Sequence, residues 1–569
     1  MNNLEIAKIF RDIANILEIK GENVFRIRAY ERAGQNIEVL PEDVSEYAKA
    51  GRLREIPGIG ADLEGKINEF LSSGKIQFYL ELKKTVPSGV LDLLDIPGIG
   101  PKTAGLLYNK LRIKNISALA GAIEAGKLKN IPGIKEKSIE NILKGIEIVK
   151  KAKERISLAE AMILADEFIL PLSRLTAVKK VTACGSLRRK KDNIGDIDIL
   201  VSSREAEKVI KVFTEISEVK QIISQGKTKS SVRLKNGRQV DCRVVEDKSF
   251  GAALLYFTGS KNFNIKIRML AQKKGFKINE YGIFKNDKYL AGKTEEELFK
   301  YLGLAYIEPE LREDNGEIEL AKNNKLPDLV ELSDIKGDLH AHSLWSDGGN
   351  SIKEMAQACV KLGYSYAAIT DHSQSLKVAN GLSASELKEK KREIDKINSS
   401  LKNFRILFGT EVDIDSNGRL DYSEEILKEF DIVVAAVHSG FKQPKAQLTR
   451  RIISACKNKY VNIISHPTGR LWGVREAYEL DFNEIFKAAA ETNTALEINS
   501  FANRLDLNDL NCRRAKLAGV KFSVDSDAHT TGQLESMHLG ISVARRGWLS
   551  KNEIINTLDL DKLLKAIKK

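Results

Sequence analysis

Apolar positions change their spacing twice along the chain. In the first stretch Leu4, Ile6, Ala7, Ile9, Phe10 and Ile13 recur three and four residues apart, the period of a helix with one buried face. The segments NVFRIRAYERA and LREIPGIGADLEGKINEFLSSGK continue it, so residues 1–85 are predicted as short helices. Around residue 196 the period drops to two, in Asp-Ile-Asp-Ile-Leu-Val, and again in Gln-Val-Asp-Cys-Arg-Val-Val from Gln239, which predicts strands. After residue 336 a third pattern starts. Seven short apolar runs, each followed by a helical segment, end in DLHAHS, AAITDHS, ILFGTEVD, VVAAVHS, NIISHPT, ALEINS and FSVDSDAH. Seven strand-helix units predict a (βα) barrel, in which chemistry gathers at the C-terminal strand ends.

Between helices and barrel lies CGSLRRKKDNIGDIDILV, Cys184–Val201. Residues two apart on a strand share a face, so Asp196 and Asp198 point together while Ile197 and Ile199 point the other way. Two adjacent carboxylates repel unless a divalent cation lies between them. Asp241, alternating with Val240 and Cys242, supplies a third on a later strand. Three carboxylates around two Mg²⁺ or Mn²⁺ ions suit in-line phosphoryl transfer. Gly185 and Ser186 can offer an amide and a hydroxyl to phosphate, and Arg188 and Arg189 can neutralise it.

These motifs, with LLYFTGSKNFNIKIR and INEYG downstream, resemble the palm and thumb of the family X DNA polymerases, the DNA polymerase beta group. The resemblance runs from about Met1 to Pro309. It implies a helical DNA-binding domain over 1–85, a fingers-like domain over 86–150, a nucleotidyltransferase palm over 151–247 and a thumb over 248–315. It also implies that Arg155, Gly185, Ser186, Arg189 and Gly195 bind the triphosphate of an incoming nucleotide. Tyr256, Phe257 and Gly259 would face its sugar, Asn264 its base edge, and Arg268 the template strand. Lys261 stands where the family carries an acidic residue, so its contacts do not carry over.

The sequence IPGIG occurs at Ile56–Gly60 and Ile96–Gly100, and as IPGIK at Ile131–Lys135. Each copy lies between helical segments, where the glycines permit a tight turn and the next helix offers free amides to a phosphate. This resembles the helix-hairpin-helix motif, which implies contact of Gly58, Gly60, Gly98 and Gly100 with the DNA backbone and K⁺ or Na⁺ held by the first two turns. The third copy lacks the final glycine. Lys66 follows the first hairpin at the place where family members form a Schiff base with an abasic-site sugar. Another family lysine is replaced by Asp62.

Composition limits the reading further. The 569 residues are 42% hydrophobic and carry a net charge of +13, which fits several domains and a phosphate-bearing partner. Charge alone is weak evidence, because the excess is spread thinly. Five scattered cysteines form no CxxC pair, pointing to a reducing compartment and no thiolate zinc site. With no signal-peptide pattern and no membrane-length apolar run, a cytoplasmic, nucleoid-associated protein is expected. The polar stretch 316–335 is expected as a linker.

All seven histidines follow residue 339. Six stand at barrel strand ends: His340, His342, His372, His438, His466 and His529, joined by Glu411 and Asp527, with Asp347 in the loop SLWSDGG. Imidazole and carboxylate together suit zinc, manganese or iron. His538 has no assigned role. Residues 336–569 resemble the PHP (polymerase and histidinol phosphatase) superfamily, which implies that these nine ligands hold three metal ions for phosphoester hydrolysis. Arg419, Arg470 and Arg475 lie near strand-end loops and are candidates for holding a substrate phosphate.

The resulting expectation is a multidomain α+β and α/β chain. It would be a monomeric family X polymerase that fills short gaps during base-excision or end-joining repair, acting on gapped or primer-template DNA with deoxynucleoside triphosphates. Its PHP barrel would be a 3′-5′ exonuclease or 3′-end phosphoesterase. Two other readings compete: a non-catalytic DNA-end scaffold, and a PHP phosphatase of a small metabolite tethered to a DNA-binding half.

Overall fold

The computed structural model of the chain describes residues 2–38, 40, 43–96, 98–131 and 135–568. The first 149 residues build a helical lobe. Its helices Asn2–Ile19 and Val24–Glu38 pack Ile6, Phe10, Ile13 and Leu17 against Ile27, Tyr30 and Ile37 in a hydrophobic cluster of their own. Helices Ala61–Ser73 and Pro101–Leu111 begin directly after the first two glycine-rich turns. Of the third turn, Pro132, Gly133 and Ile134 lie outside the described residues, and helix Glu136–Glu154 follows it.

The palm is a five-stranded sheet. Its strands are β1 (Val178–Ala183), β2 (Asp196–Ser203), β3 (Val219–Gln225), β4 (Lys229–Leu234) and β5 (Gln239–Val245), in spatial order β1-β2-β5-β4-β3. Only β2 and β5 run parallel. Helices Leu158–Ser173 and Ala206–Thr214 cover one face, with Phe168 and Phe213 in contact at 5.3 Å. The thumb follows with helices Phe250–Thr258 and Lys261–Lys273 and a small antiparallel sheet over residues 277–291.

Residues 316–335 are not a free tether. Ile318, Ala321 and Leu329 are buried in the thumb core, Val330 and Ile335 in the core of the palm and barrel. The segment reads as polar because its apolar residues are few. Those few are the ones that pack.

Seven parallel strands then form the barrel in chain order: β6 (Gly337–Ala341), β7 (Tyr366–Ile369), β8 (Arg405–Asp413), β9 (Ile432–Ala436), β10 (Ile463–Ile464), β11 (Ala495–Asn499) and β12 (Phe522–Asp525). Their near-continuous apolar runs reflect burial on both faces. First and last strands meet where His342 N–H donates to the Ala528 carbonyl at 2.8 Å. Farther down the seam Asn556 fills the gap, with Nδ2 donating to the Gly337 and Val524 carbonyls at 3.1 and 3.0 Å. The barrel is therefore nearly closed. Ser351 with Glu354, and Ser383 with Glu386, form capping boxes that start the helices after β6 and β7.

Candidate active sites in the palm and the barrel

In the palm, the parallel register sets Asp198 opposite Asp241 and Asp196 opposite Gln239. The intervening Ile197, Ile199, Val240 and Cys242 are buried in the core behind them. Alternation thus puts all three carboxylates at one end of adjacent strands. Burial, then the charges of Asp196 and Asp241, push the Asp198 carboxyl up to about 7. Gln239 Nε2 donates to Asp241 at 3.1 Å. A group of acids this crowded fits divalent cations, which would remove the repulsion. Gly185 lies in the left-handed region at φ +60°, and a Cβ there would collide with the Asp198 carboxylate. Only glycine satisfies both the turn and that close approach.

The arginines differ in their surroundings. Arg188 meets the buried Glu295 in a two-pronged pair at 2.7 and 2.8 Å, and Arg312 grips the same carboxylate from the other side. Arg188 is therefore a palm-thumb tie, a role invisible in a motif whose partner lies 107 residues away. Arg189 Nε meets Glu313 at 3.0 Å, and its Nη1 donates to the Thr258 carbonyl. Arg155 donates to the Asn193 carbonyl at 3.0 Å and stands beside Gly195. Ser186 is half-buried in the short helix Gly185–Arg188. The rings of Tyr256 and Phe257 meet edge to face at 5.1 Å, and the Arg243 guanidinium lies over Phe257 at 5.3 Å. Gly259 ends that helix at φ +73°. Asn264 donates to the Tyr256 carbonyl at 2.6 Å, and Asn264 and Arg268 line a small pocket with Tyr256. Lys261 is exposed.

In the helical lobe Gly58 and Gly98 adopt φ +85° and +93°, and Gly60 and Gly100 are the N-caps of the following helices. Neither helix has a side-chain cap, so their first amides stay available to an anion. Lys66 is ion-paired with Asp62 and lies 5.2 Å from the Phe78 ring.

The barrel gathers all nine expected groups. Three overlapping sets have ligand atoms within 4.8 Å of one another: His342, Asp347, His372 and His529; His340, His342 and Asp527; and His372, Glu411 and His438. His466 joins through Nε2, 3.0 Å from Glu411. Against the burial that would raise it, His438, His340 and His372 hold the Glu411 carboxyl well below its usual range. Asp527 and Asp347 are likewise held low, against burial, by histidines. Against burial, Glu411 and Asp347 raise His372 to about 10, whereas burial and neighbouring imidazoles lower His342 to about 4. Nδ1 of His342 and His466 is buried with no hydrogen-bond partner, and Nδ1 of His372 and His438 faces a carboxylate, Glu411 at 2.8 Å and Asp413 at 3.4 Å. Orphaned imidazole nitrogens beside carboxylates are the donor set of a transition-metal site.

Several participants were not singled out in the sequence. Glu497 receives His340 Nδ1 at 2.6 Å and the His466 amide at 2.6 Å, the carboxylate-imidazole pairing that orients a metal ligand. Its signal was present: it is the acid in ALEINS, the one strand end without an assigned ligand. Asp371 accepts from Ser343 and Ser346 and pairs with the buried Lys390 at 2.8 Å. Arg504 reaches Asp527 at 3.3 Å, with Nη1 buried and unpartnered. Of the three arginines nominated for phosphate, Arg470 is bonded to Asp192 and to the Arg504 and Leu505 carbonyls, Arg475 stacks 3.8 Å over Phe441, and Arg419 is exposed. His538 lies outside the group, its Nδ1 at the Glu535 carbonyl.

Comparison with known proteins follows this division. Residues 1–76 match a helix-hairpin-helix domain family, 90–147 a SAM-like helix-hairpin-helix tandem, 155–247 the DNA polymerase beta palm, 253–313 the DNA polymerase beta thumb and 338–501 the PHP domain. The DNA polymerase/3′-5′ exonuclease PolX of Bacillus subtilis (strain 168) is 39% identical over 564 residues, covering 98% of both chains. The chain belongs to the family X DNA polymerases that carry a C-terminal PHP domain. Two partial relatives divide it. DNA polymerase lambda of Rattus norvegicus is 26% identical over 55% of this chain and 56% of its own. A probable phosphatase of Thermoanaerobacter sp. (strain X514) is 32% identical over 41% of this chain and 94% of its own. Among the described residues, no helix of this family X member is long and apolar enough to cross a membrane.

Proposed function

We propose that the chain is a DNA polymerase that fills short gaps during DNA repair, joined to a PHP-domain 3′-5′ exonuclease. The observation that carries this is the presence of two separate cation-binding clusters, a carboxylate trio in the palm and an imidazole-carboxylate basin in the barrel, on one chain of PolX-like extent. Asp196, Asp198 and Asp241 would hold Mg²⁺ or Mn²⁺, and the nine barrel residues three ions of zinc, manganese or iron. When bound, such cations neutralise phosphate charge and lower the barrier to attack at phosphorus. Asp241 acts on the primer 3′-hydroxyl proton. Arg155, Ser186, Arg189 and the Gly195 amide orient the triphosphate. Tyr256, Phe257 and Gly259 seat the sugar, Asn264 the base edge and Arg268 the template. In the barrel, Glu497 fixes the tautomer of His340, and Arg504 faces the substrate phosphate.

Gly58, Gly60, Gly98 and Gly100 contact the DNA backbone, with K⁺ or Na⁺ at the two turns, and the enzyme works as a monomer. Lys66 is the candidate lyase nucleophile. Borohydride trapping on a 5′-abasic nick tests it: loss of the adduct in Lys66→Ala supports the assignment, and an unchanged adduct removes it. The phosphatase relative favours a second reading for the barrel, hydrolysis of a small phosphomonoester. A paired assay on gapped DNA decides. Primer extension together with release of 3′ nucleotides supports the proposal. Hydrolysis of histidinol phosphate with intact primer ends replaces its second half.

A further inference from the structure

The loop Arg189–Gly195 leads from the short helix into the catalytic strand β2, and the barrel grips it at two points. Arg546 Nη1 donates to the Arg189 carbonyl at 2.7 Å. Arg470 Nη1 meets Asp192 Oδ2 at 2.7 Å. Each arginine is fixed in the barrel by its remaining nitrogens. Arg546 pairs with Asp509 at 2.6 Å, and Arg470 Nη2 donates to the Arg504 and Leu505 carbonyls at 2.7 Å each. A guanidinium anchored on one side and donating on the other is a rigid strut, because its planar fork loses little freedom on binding.

Both grips end next to nucleotide-binding groups. Arg546 shares Glu313 with Arg189, at 3.2 and 3.0 Å, so the barrel and the palm arginine hold one carboxylate between them. On the other side Asn193 Nδ2 donates to Asp192 at 2.7 Å, and Asn193 in turn accepts from Arg155 through its carbonyl at 3.0 Å. Arg546 is buried, and Arg470 and Asp192 are mostly covered, so solvent screens these contacts far less than exposed pairs.

We infer that Arg470 and Arg546 are positioning residues for the polymerase reaction: the barrel holds the palm loop in its triphosphate-binding geometry. The inference rests on the reading that Arg155, Arg189 and Gly195 hold the triphosphate. The barrel then has a second task, independent of its own metal ligands, in setting nucleotide affinity. Neither task requires the other to be active.

The test uses the full chain on a one-nucleotide gap, with KM for the nucleotide and kcat measured separately. Asp192→Asn removes the ion pair from the palm side at nearly constant shape. It should raise KM about 5–10-fold with kcat within about twofold and leave 3′-5′ exonuclease activity unchanged, while Tm falls only slightly. Arg470→Gln should raise KM for the nucleotide to the same degree, and the KM of the double variant should be no worse than that of either single one. Arg546→Gln should raise KM more than Arg546→Lys, which keeps a donor for the Arg189 carbonyl. Unchanged KM in Asp192→Asn, or effects that multiply in the double variant, overturns the inference. Arg189→Ala separates the two layers. If it raises KM while Asp192→Asn does not, only the strut is wrong; if it leaves KM unchanged, the triphosphate reading falls and the strut with it.

Discussion

The palm and the barrel both gather acids at the ends of parallel strands, yet solve the resulting repulsion differently. In the palm, like charges meet like charges, and Asp198 is pushed up to about 7 by burial and by its two neighbours. In the barrel, carboxylates alternate with imidazoles, and Glu411, Asp347 and Asp527 are held low despite burial, because histidines surround them. The palm trio is only partly offset, by Arg189 and Lys229, and bound cations would supply the rest. The barrel basin balances its own charge and is pre-organised before any ion enters. A site whose cations can arrive with each substrate tolerates the first arrangement. A resident metal centre needs the second.

The sharpest way to break this comparison is to remove one member from each cluster. Asp198→Ala should lower DNA synthesis ~10³-fold or more while 3′-5′ degradation stays within about twofold, and His342→Ala should do the reverse. Loss of both activities in either variant, read on one labelled gapped substrate, would mean a single shared site.

Glu497 sharpens the account of the barrel alone. Glu497→Gln leaves every ligand in place but removes the carboxylate partner of His340. Metal content or exonuclease rate should fall about 10–100-fold, with synthesis untouched. Equal metal binding and rate in the variant would reduce Glu497 to a packing residue.

Titration gives the next contrast. Asp198 has a folded pKa near 7 against an unfolded value near 3.8, so the metal-free palm binds the extra proton and loses stability as pH rises between them. A cation has to displace that proton below pH 7. Mg²⁺ affinity of the palm should therefore be about tenfold weaker at pH 6 than at pH 8, with the dependence lost in Asp198→Asn. The barrel carboxylates run the opposite way. Their depressed values contribute stability above the usual carboxylate range, which is lost as pH falls through the folded pKa. The raised histidines His340, His372, His438 and His529 contribute fully at such low pH, so calorimetry of the chelated protein should find the barrel melting temperature shifting down once the pH falls below the usual carboxylate range.

The barrel seam carries an effect on stability alone. Asn556→Ala strips partners from the Gly337 and Val524 carbonyls and should cost about 2–4 kcal/mol of folding stability. An unchanged stability in Asn556→Ala would mean that the seam is held without this side chain.

Much of both sites was legible in the residues. Asp241 could be paired with Asp198 because alternation fixes the face of a strand, and one-residue slips would bury the charge. The seven strand ends were legible because each apolar run stops at a histidine or acid. What could not be read were the long-range partners. Arg188 appears in the motif as a phosphate ligand, and only folding brings Glu295 to it. Arg470 stands on a strand-end loop, and only the docking of palm against barrel turns it toward Asp192. Residues 316–335 look like a linker because polarity averages over a segment, whereas packing depends on a few positions such as Ile318 and Leu329.

The plug at Asn556 has a consequence for synthesis of the chain. It follows all seven barrel strands in the chain, yet it completes the seam beside β6, the first of them, which carries His340 and leads into His342. The palm has every strand it needs once Val245 has emerged from the ribosome. The nuclease basin waits for residue 556, so a ribosome paused between the two positions would hold a finished palm sheet beside a barrel whose seam is still open.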